Sequence, residues 1–277
     1  MKTPKFFGLH ASPGKKLAFF LMLIPFILVV TLYAFGSEHR HSINPDDKIM
    51  PTIMKLADTT AEYVVKKDRK GNYILLGDIM SSMQRLVVAV GVAAIVGLLV
   101  GMNMALFPGM GALLNPFIIF FSNIPALALM PMILIVFGTG DFTKMMLIFL
   151  GVVFVITRDV FRATNDLPKE QITKALSLGA TQLEVAYKIV LPQIIPALIS
   201  TVRLSLPAAW LFLIAGEAVV SMDGLGYRIY LVKRYLAMHI IIPYVFTITG
   251  LAFLLDRMLK WLIDWRFPWY TETKGTK

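Results

Sequence analysis

Residues 166–196 read DLPKEQITKALSLGATQLEVAYKIVLPQIIP, a polar and basic stretch set between long apolar runs. Its local pattern is that of two short helices meeting at a corner. Asp166 is placed to cap a helix opening at Leu167, with Pro168 in the first turn, where a missing N–H costs nothing. That helix carries Glu170 and Ala175 and closes at Leu178 before Gly179, the residue type that turns left-handed without steric penalty. Thr181 then opens a second helix, and Glu184 completes a capping box. Leu183, Ala186, Tyr187 and Val190 recur at helical spacing, and Pro192 is expected to end the helix. A link that only joined two apolar runs would not need two caps and a glycine corner. The design suits a surface gripped from the aqueous phase. The blander alternative is a pair of helices lying in a membrane interface.

The rest of the chain sets the context. Of 277 residues, 57% are hydrophobic and only 16% charged, which indicates an all-α, polytopic membrane bundle. There is no cysteine, so disulfides, thiolate metal sites and cysteine nucleophiles are excluded. The net charge of +10 fits lipid-facing flanks rather than nucleic acid, because no basic stripe is interleaved with aromatics on a polar face. Six runs approach the roughly 20 residues that a span needs. They are 17–36, 80–106, 114–137, 145–157, 197–220 and 240–259, the fourth being short.

Six crossings put both termini on one side, and lysine and arginine identify it as cytoplasmic. Lys2, Lys5, Lys15 and Lys16 precede the first run; Arg158, Arg162, Lys169, Lys174 and Lys188 surround the corner; Arg257, Lys260, Arg266, Lys274 and Lys277 close the chain. Arg228, Lys233 and Arg234 fall on the other side and conflict with this orientation. The expected organisation is a cytoplasmic flank (1–16) and one transmembrane domain (17–277), with an external segment (37–78) and a cytoplasmic loop (161–196). The first run reads as an uncleaved anchor rather than a signal peptide ending at Ala34-Phe35-Gly36, being longer than a usual h-region. The external segment, with Pro45, Pro51 and the charged 66–71 run, reads as a solvated cap around a short amphipathic helix at 53–65.

The spacing within the corner stretch resembles the loop signature of binding-protein-dependent ABC importer permeases, E-A-A-x3-G-x9-I-x-L-P. Ala175, Gly179, Ile189, Leu191 and Pro192 match it, whereas Thr173 and Lys174 stand at the Glu and first Ala positions, with Glu170 nearby as a displaced acid. The resemblance continues through Gly216-Glu217-Ala218 and Asp223-Gly224-Leu225-Gly226, which are similar to the nitrate/taurine/sulfonate-type permeases. Residues 210–215 (WLFLIA), 226–229 (GYRI), 234–238 (RYLAM) and 267–270 (FPWY) are similar to the subgroup associated with urea or guanidine carboxylase gene clusters. The resemblance implies a type I ABC importer permease-like fold and a second permease copy. It also implies a cytoplasmic ABC ATPase dimer carrying ATP and Mg, and an external solute-binding protein. It places ATPase coupling on Glu170, Thr173, Lys174, Ala175, Gly179, Ile189, Leu191 and Pro192, and suggests a small nitrogenous solute such as guanidine or urea, or taurine, a sulfonate or nitrate.

Candidates for the solute path are Ser122 and Asn123, polar groups in an apolar run near Pro125 and Pro131, weighed against a role as glue between helices. Glu217 is the acid well inside the fifth run; it is a path candidate, and equally a structural partner for Arg85 or Arg203. Asn103, Trp210 and Phe212 read as packing, and Asp141 and Lys144 as a solvated turn. No Walker A motif is present; Gly14-Lys15-Lys16 lacks the upstream glycine and the final hydroxyl residue, so ATP hydrolysis is expected in a separate chain. His10, His39, His41 and His239 lack metal-ligand spacing, and no catalytic grouping occurs. A self-sufficient secondary transporter is the rival reading, disfavoured by the lack of a clear repeat and of intramembrane ionisable pairs.

Overall fold

The computed structural model describes residues 14–45, 47–67, 71 and 73–270. The flanking lysines Lys2, Lys5, Lys274 and Lys277, His10 and the middle of the 66–71 charge run lie outside the described residues. Among those described there are no strands, only one isolated bridge between Lys67 and Tyr73.

Among the described residues eleven α-helices carry the fold: α1 (Lys15–Ile43), α2 (Ile53–Val65), α3 (Ile74–Leu106), α4 (Pro108–Ser122), α5 (Met130–Phe137), α6 (Asp141–Asn165), α7 (Lys169–Ser177), α8 (Gln182–Glu184), α9 (Leu191–Val220), α10 (Leu225–Lys233) and α11 (Met238–Arg266). Helices α1, α3, Gln182–Val219 and α11 are each long and apolar enough to cross a membrane. The bent pair Pro108–Ser122 and Ala126–Phe137 is apolar enough to form a broken span or a re-entrant loop. At 1.5 Å per residue, the 25 residues of α6 also reach across a bilayer, although its ends are charged by Asp141, Lys144, Arg158, Asp159 and Arg162.

The core is built on α6. Its Leu147, Ile148, Val152, Ile156 and Val160 are buried among α3 and α9. Helices α3 and α6 run parallel, and Gly97 and Gly101 of α3 form a G-x-x-x-G face against α6. A Cβ on Gly101 would sit 2.5 Å from the Thr157 carbonyl oxygen and one on Gly97 2.7 Å from the Ile156 side chain, so this approach requires residues without a side chain. By contrast, α1 buries nothing in its apolar window. It is tied to the bundle region only near its end, where Tyr33 and Ser37 donate to the carbonyls of Pro51 and Met50.

Several boundaries differ from expectation. The 114–137 run is not one helix. It breaks at residues 123–125 and turns by 84° into a second arm, Ala126–Phe137, which opens with a 3-10 turn at Ala126–Leu129. Pro125 supplies no N–H and drives Ile124 out of the helical region, while Ser122 Oγ and Asn123 Nδ2 both donate to the Ile119 carbonyl at 2.9 and 2.7 Å and cap the broken end. Within the 37–78 segment, α1 runs on to Ile43 and α3 begins at Ile74. No helix breaker intervenes before Asn44-Pro45, and Arg40 pairs with Asp47 just beyond the end. The amphipathic helix at 53–65 is present as α2, but it is more than a solvated cap: its Tyr63 packs edge-on against Tyr244 of α11.

Candidate functional site

Two polar regions occupy opposite ends of the bundle. The first is the corner between α6 and α9. Asp166 ends α6 instead of capping the next helix, and α7 starts at Lys169 with Pro168 in the cap position and no side-chain cap. This correction follows from the last turn of α6, which takes the Asp166 N–H onto the Arg162 carbonyl. At the far end of α7, Gly179 has φ +89°, its N–H bonds to the Leu176 carbonyl and the Ala180 N–H reaches back to Ala175, the paired bonds of a Schellman motif. A Cβ on Gly179 would meet nothing within 4 Å, so glycine is required there by conformation and not by space. The capping box forms with both of its bonds, Glu184 N to Thr181 Oγ1 at 3.3 Å and Thr181 N to Glu184 Oε2 at 3.0 Å.

Pro192 does not end the second helix. The chain widens into a π turn at Val185–Val190 and continues as α9, with Pro192 in its first turn. The π turn shifts the backbone register just ahead of the proline, where an uninterrupted α-helix would press the ring against the carbonyl four residues back. The corner is thereby joined without a loop to a 38-residue helix, Gln182–Val219. Glu170, Thr173, Lys174 and Gly179 are exposed, whereas Ala175, Ile189 and Leu191 pack partly buried against the core. Leu176, Leu178, Leu183 and Tyr187 add an exposed apolar fringe.

The second region was only partly foreseen. Glu217, near the end of α9, is 0% exposed and its two oxygens are fully engaged. Arg85 Nη1 donates to it at 2.8 Å, the Ser82 hydroxyl lies 2.8 and 2.9 Å from its oxygens, and the Gly226 N–H donates at 2.9 Å. The guanidinium of Arg85 also contacts Asp223 at 2.5 Å and Asp141 at 2.8 Å. Lys144, read from the sequence as solvated, is buried; it bonds Asp141 at 2.8 Å and Ser221 at 3.0 Å. Arg203, the other partner considered for Glu217, forms a two-pronged pair with Asp256 at 2.9 and 3.0 Å.

Beside this cluster lies a second one. Asp78 of α3 accepts from Arg228 at 2.9 and 3.2 Å, from the Tyr244 hydroxyl at 3.0 Å and from the Gly224 N–H at 3.1 Å. Three successive N–H groups opening α10 therefore rest on buried side chains: Gly224 on Asp78, Leu225 on Ser82 and Gly226 on Glu217. Gly224 has φ +105°, and a Cβ there would lie 2.5 Å from the Glu217 carboxyl. The misfit of Arg228 with the charge-based orientation now has a local cause, since its charge is neutralised by Asp78. Asp78, Ser82 and Tyr244 were not singled out in sequence; the signal available was a basic residue stranded on the wrong side and in want of an acid.

Ser122 and Asn123 sit at the α4 break, half-buried and exposed respectively. No group of histidine or acidic residues suited to a metal occurs among the described residues.

A polytopic helical bundle, with a stiff polar corner at one end and a buried ionic lock at the other, is the architecture of a membrane permease. The chain belongs to the family described as "Binding-protein-dependent transport system inner membrane component", whose profile matches residues 93–266. It is a multi-pass transport protein of the nitrate/taurine type and not an enzyme. It is 29% identical over 194 residues to the taurine transport system permease protein TauC of Escherichia coli, covering 70% of each chain. It is 28% identical to the bicarbonate transport system permease protein CmpB of Synechococcus elongatus, over 67% of each. With the nitrate import permease protein NrtB of the same organism it shares 26% over 75% of each. Among solved structures, an inward-facing MetNI methionine ABC transporter matches 70% of this chain and 98% of its own with TM-score 0.57 at 20% identity, which supports the fold.

Proposed function

We propose that this chain forms the solute path of an ATP-driven importer in the plasma membrane of a bacterium, with both termini and the 161–196 loop cytoplasmic. Two copies build the path. A dimer of separate ABC ATPase chains holds ATP and Mg and grips the loop, and an external solute-binding protein delivers the solute. The observation that carries this reading is mechanical continuity. The capped corner enters the 38-residue helix Gln182–Val219 without a flexible joint, and that helix ends at the Arg85–Glu217 pair. A push on the corner is thus transmitted along one rigid element to the opposite face of the membrane.

Contact with the ATPase falls to Glu170, Thr173, Lys174 and the exposed apolar fringe, while Gly179 sets the corner, Ala175, Ile189 and Leu191 fasten it to the bundle, and the exposed Pro192 opens the first turn of α9. Ser122 and Asn123, at the broken crossing, are assigned to the path. Glu217 acts there by holding its far end together, because its oxygens are already satisfied by Arg85, Ser82 and Gly226. The solute is a small nitrogenous compound such as guanidine or urea, on the resemblance of residues 210–215, 226–229, 234–238 and 267–270. Taurine, a sulfonate or nitrate is the alternative that the similar permeases favour.

The test is ATP hydrolysis by the permease reconstituted with its ATPase and binding protein, stimulated in turn by guanidine, urea, taurine, alkanesulfonates, bicarbonate and nitrate. One solute should stimulate both hydrolysis and uptake. Gly179→Leu should keep the assembly and lose the stimulation; normal uptake by that variant contradicts the coupling role. Labelling of the 161–196 loop from outside intact cells contradicts the orientation.

A further inference from the structure

The lipid-facing stripe of α11 changes character toward its end on the corner's side of the membrane. Phe246, Phe253, Leu254 and Met258 are exposed and apolar; beyond them come Trp261 and Trp265, 62% and 66% exposed, with rings stacked at 5.5 Å and 3°. Tryptophan on an outward face concentrates where hydrocarbon meets headgroups. Arg257 shares that face, four residues before Trp261, which at 1.5 Å per residue sets its Cα about 6 Å deeper in the bilayer than Trp261. An exposed cation at that depth is costly unless an anion reaches it. Its neighbour Asp256 is not available, since both oxygens of that carboxylate are held by Arg203. The Arg257 guanidinium lies over the Phe253 ring at 5.9 Å and makes no ion pair among the described residues. Lys260, exposed on the same side of the helix, likewise makes no ion pair among the described residues; Asp264, one turn further on, is the exposed carboxylate of that face and lies beyond both cations toward the headgroup side.

We infer that Arg257, Lys260, Trp261 and Trp265 form a binding site for an anionic phospholipid headgroup. The phosphate lies between the guanidinium and the ammonium, at positions i and i+3 of one helix face, and the tryptophan pair fixes the depth of the glycerol region. Charge complementarity selects the occupant: two cations against the single carboxylate of Asp264 leave this face net positive, and, framed by interfacial aromatics, it matches an acidic lipid better than a second protein surface. The inference rests on the chain spanning a bilayer, with the corner facing the leaflet richer in anionic lipid. The Arg203–Asp256 bridge then has a second role, keeping Asp256 away from the lipid phosphate.

The experiment uses the full chain in vesicles of phosphatidylcholine containing a minor fraction of brominated phosphatidylglycerol or, in parallel, brominated phosphatidylcholine, with tryptophan quenching as the readout. Each cation near the surface favours an acidic lipid about fivefold, so two predict a local enrichment on the order of 25-fold. Quenching by the anionic lipid should therefore far exceed that by the zwitterionic one. The Arg257→Gln/Lys260→Gln double variant should lose the excess, and Lys233→Gln/Arg234→Gln, at the opposite end, should keep it. Equal quenching by the two lipids in the natural protein overturns the site. So does an excess that survives the double variant, or one lost equally in the control, which would mark general surface charge. Symmetric vesicles give the same result whichever way the chain inserts, so a negative outcome counts against the lipid site and not against the membrane orientation.

Discussion

The two ends of the bundle are held by opposite means. At the corner the stabilising bonds are mostly local: Thr181 with Glu184, Ala180 with Ala175 and Lys188 with Glu184 are all within five residues, and Gln193 donating to Gln171 at 3.1 Å is the longer-range exception. At the far end several bonds join residues more than 130 positions apart, such as Arg85 with Glu217 and Asp78 with Arg228. A region fastened to itself keeps its shape while it moves against a partner. A region fastened across helices keeps its neighbours together and resists movement until the bonds exchange. The corner is therefore suited to carry force, and the far cluster to hold a closed arrangement against it.

The largest effect tests the far end. Arg85→Met leaves the buried Glu217 without its cation and is expected to cost about 3–5 kcal/mol, read as loss of thermal stability in detergent. Adding Glu217→Gln to that variant should recover a large part of the loss. If the double variant is no better than the single one, the two residues do not act as a pair. Gly224→Ala comes next, at about 2–3 kcal/mol, because its φ of +105° and the Glu217 carboxyl at 2.5 Å both oppose a side chain. A wild-type melting temperature in that variant would show that the cradle at the start of α10 yields easily.

The corner should behave differently. Gly179→Leu is expected to cost only about 1.5 kcal/mol from backbone strain, since its surroundings are open, yet to remove the coupling of ATP hydrolysis to uptake. A large stability loss with coupling intact would reverse the contrast between the ends. The smallest effect is Thr181→Ala, about 0.5 kcal/mol for an exposed cap, detectable as faster amide exchange confined to residues 181–186. Protection lost throughout the bundle would mean that the corner is not an independent unit.

The same contrast explains what the sequence discloses. Gly179 and the Thr181–Glu184 box were legible because their physics is contained within a few residues. So were the apolar runs, which needed only a count of hydrophobic positions. The start at Lys169 was missed because the last turn of α6 competes for Asp166, and the passage through Pro192 because a π turn has no strong sequence signature. The 84° bend had its warning in Pro125 and Pro131, which announce a weak point but not an angle. The clusters around Asp78 and Glu217 were the least legible, because nothing near Asp78 in the chain indicates that Arg228 and Tyr244 will meet it. Arg85 was nominated for Glu217 only as one of two basic residues.

The seam of Gly97 and Gly101 against α6 has a consequence for motion. With backbones pressed this close, sliding one helix past the other would drive Val160 and Thr157 into the neighbouring main chain. The two helices must then travel as a single plank. Any rocking that exposes the passage first to one compartment and then to the other has its pivots at the rims of that plank: where α9 lies along it, and where the kinked α4–α5 crossing leans on it.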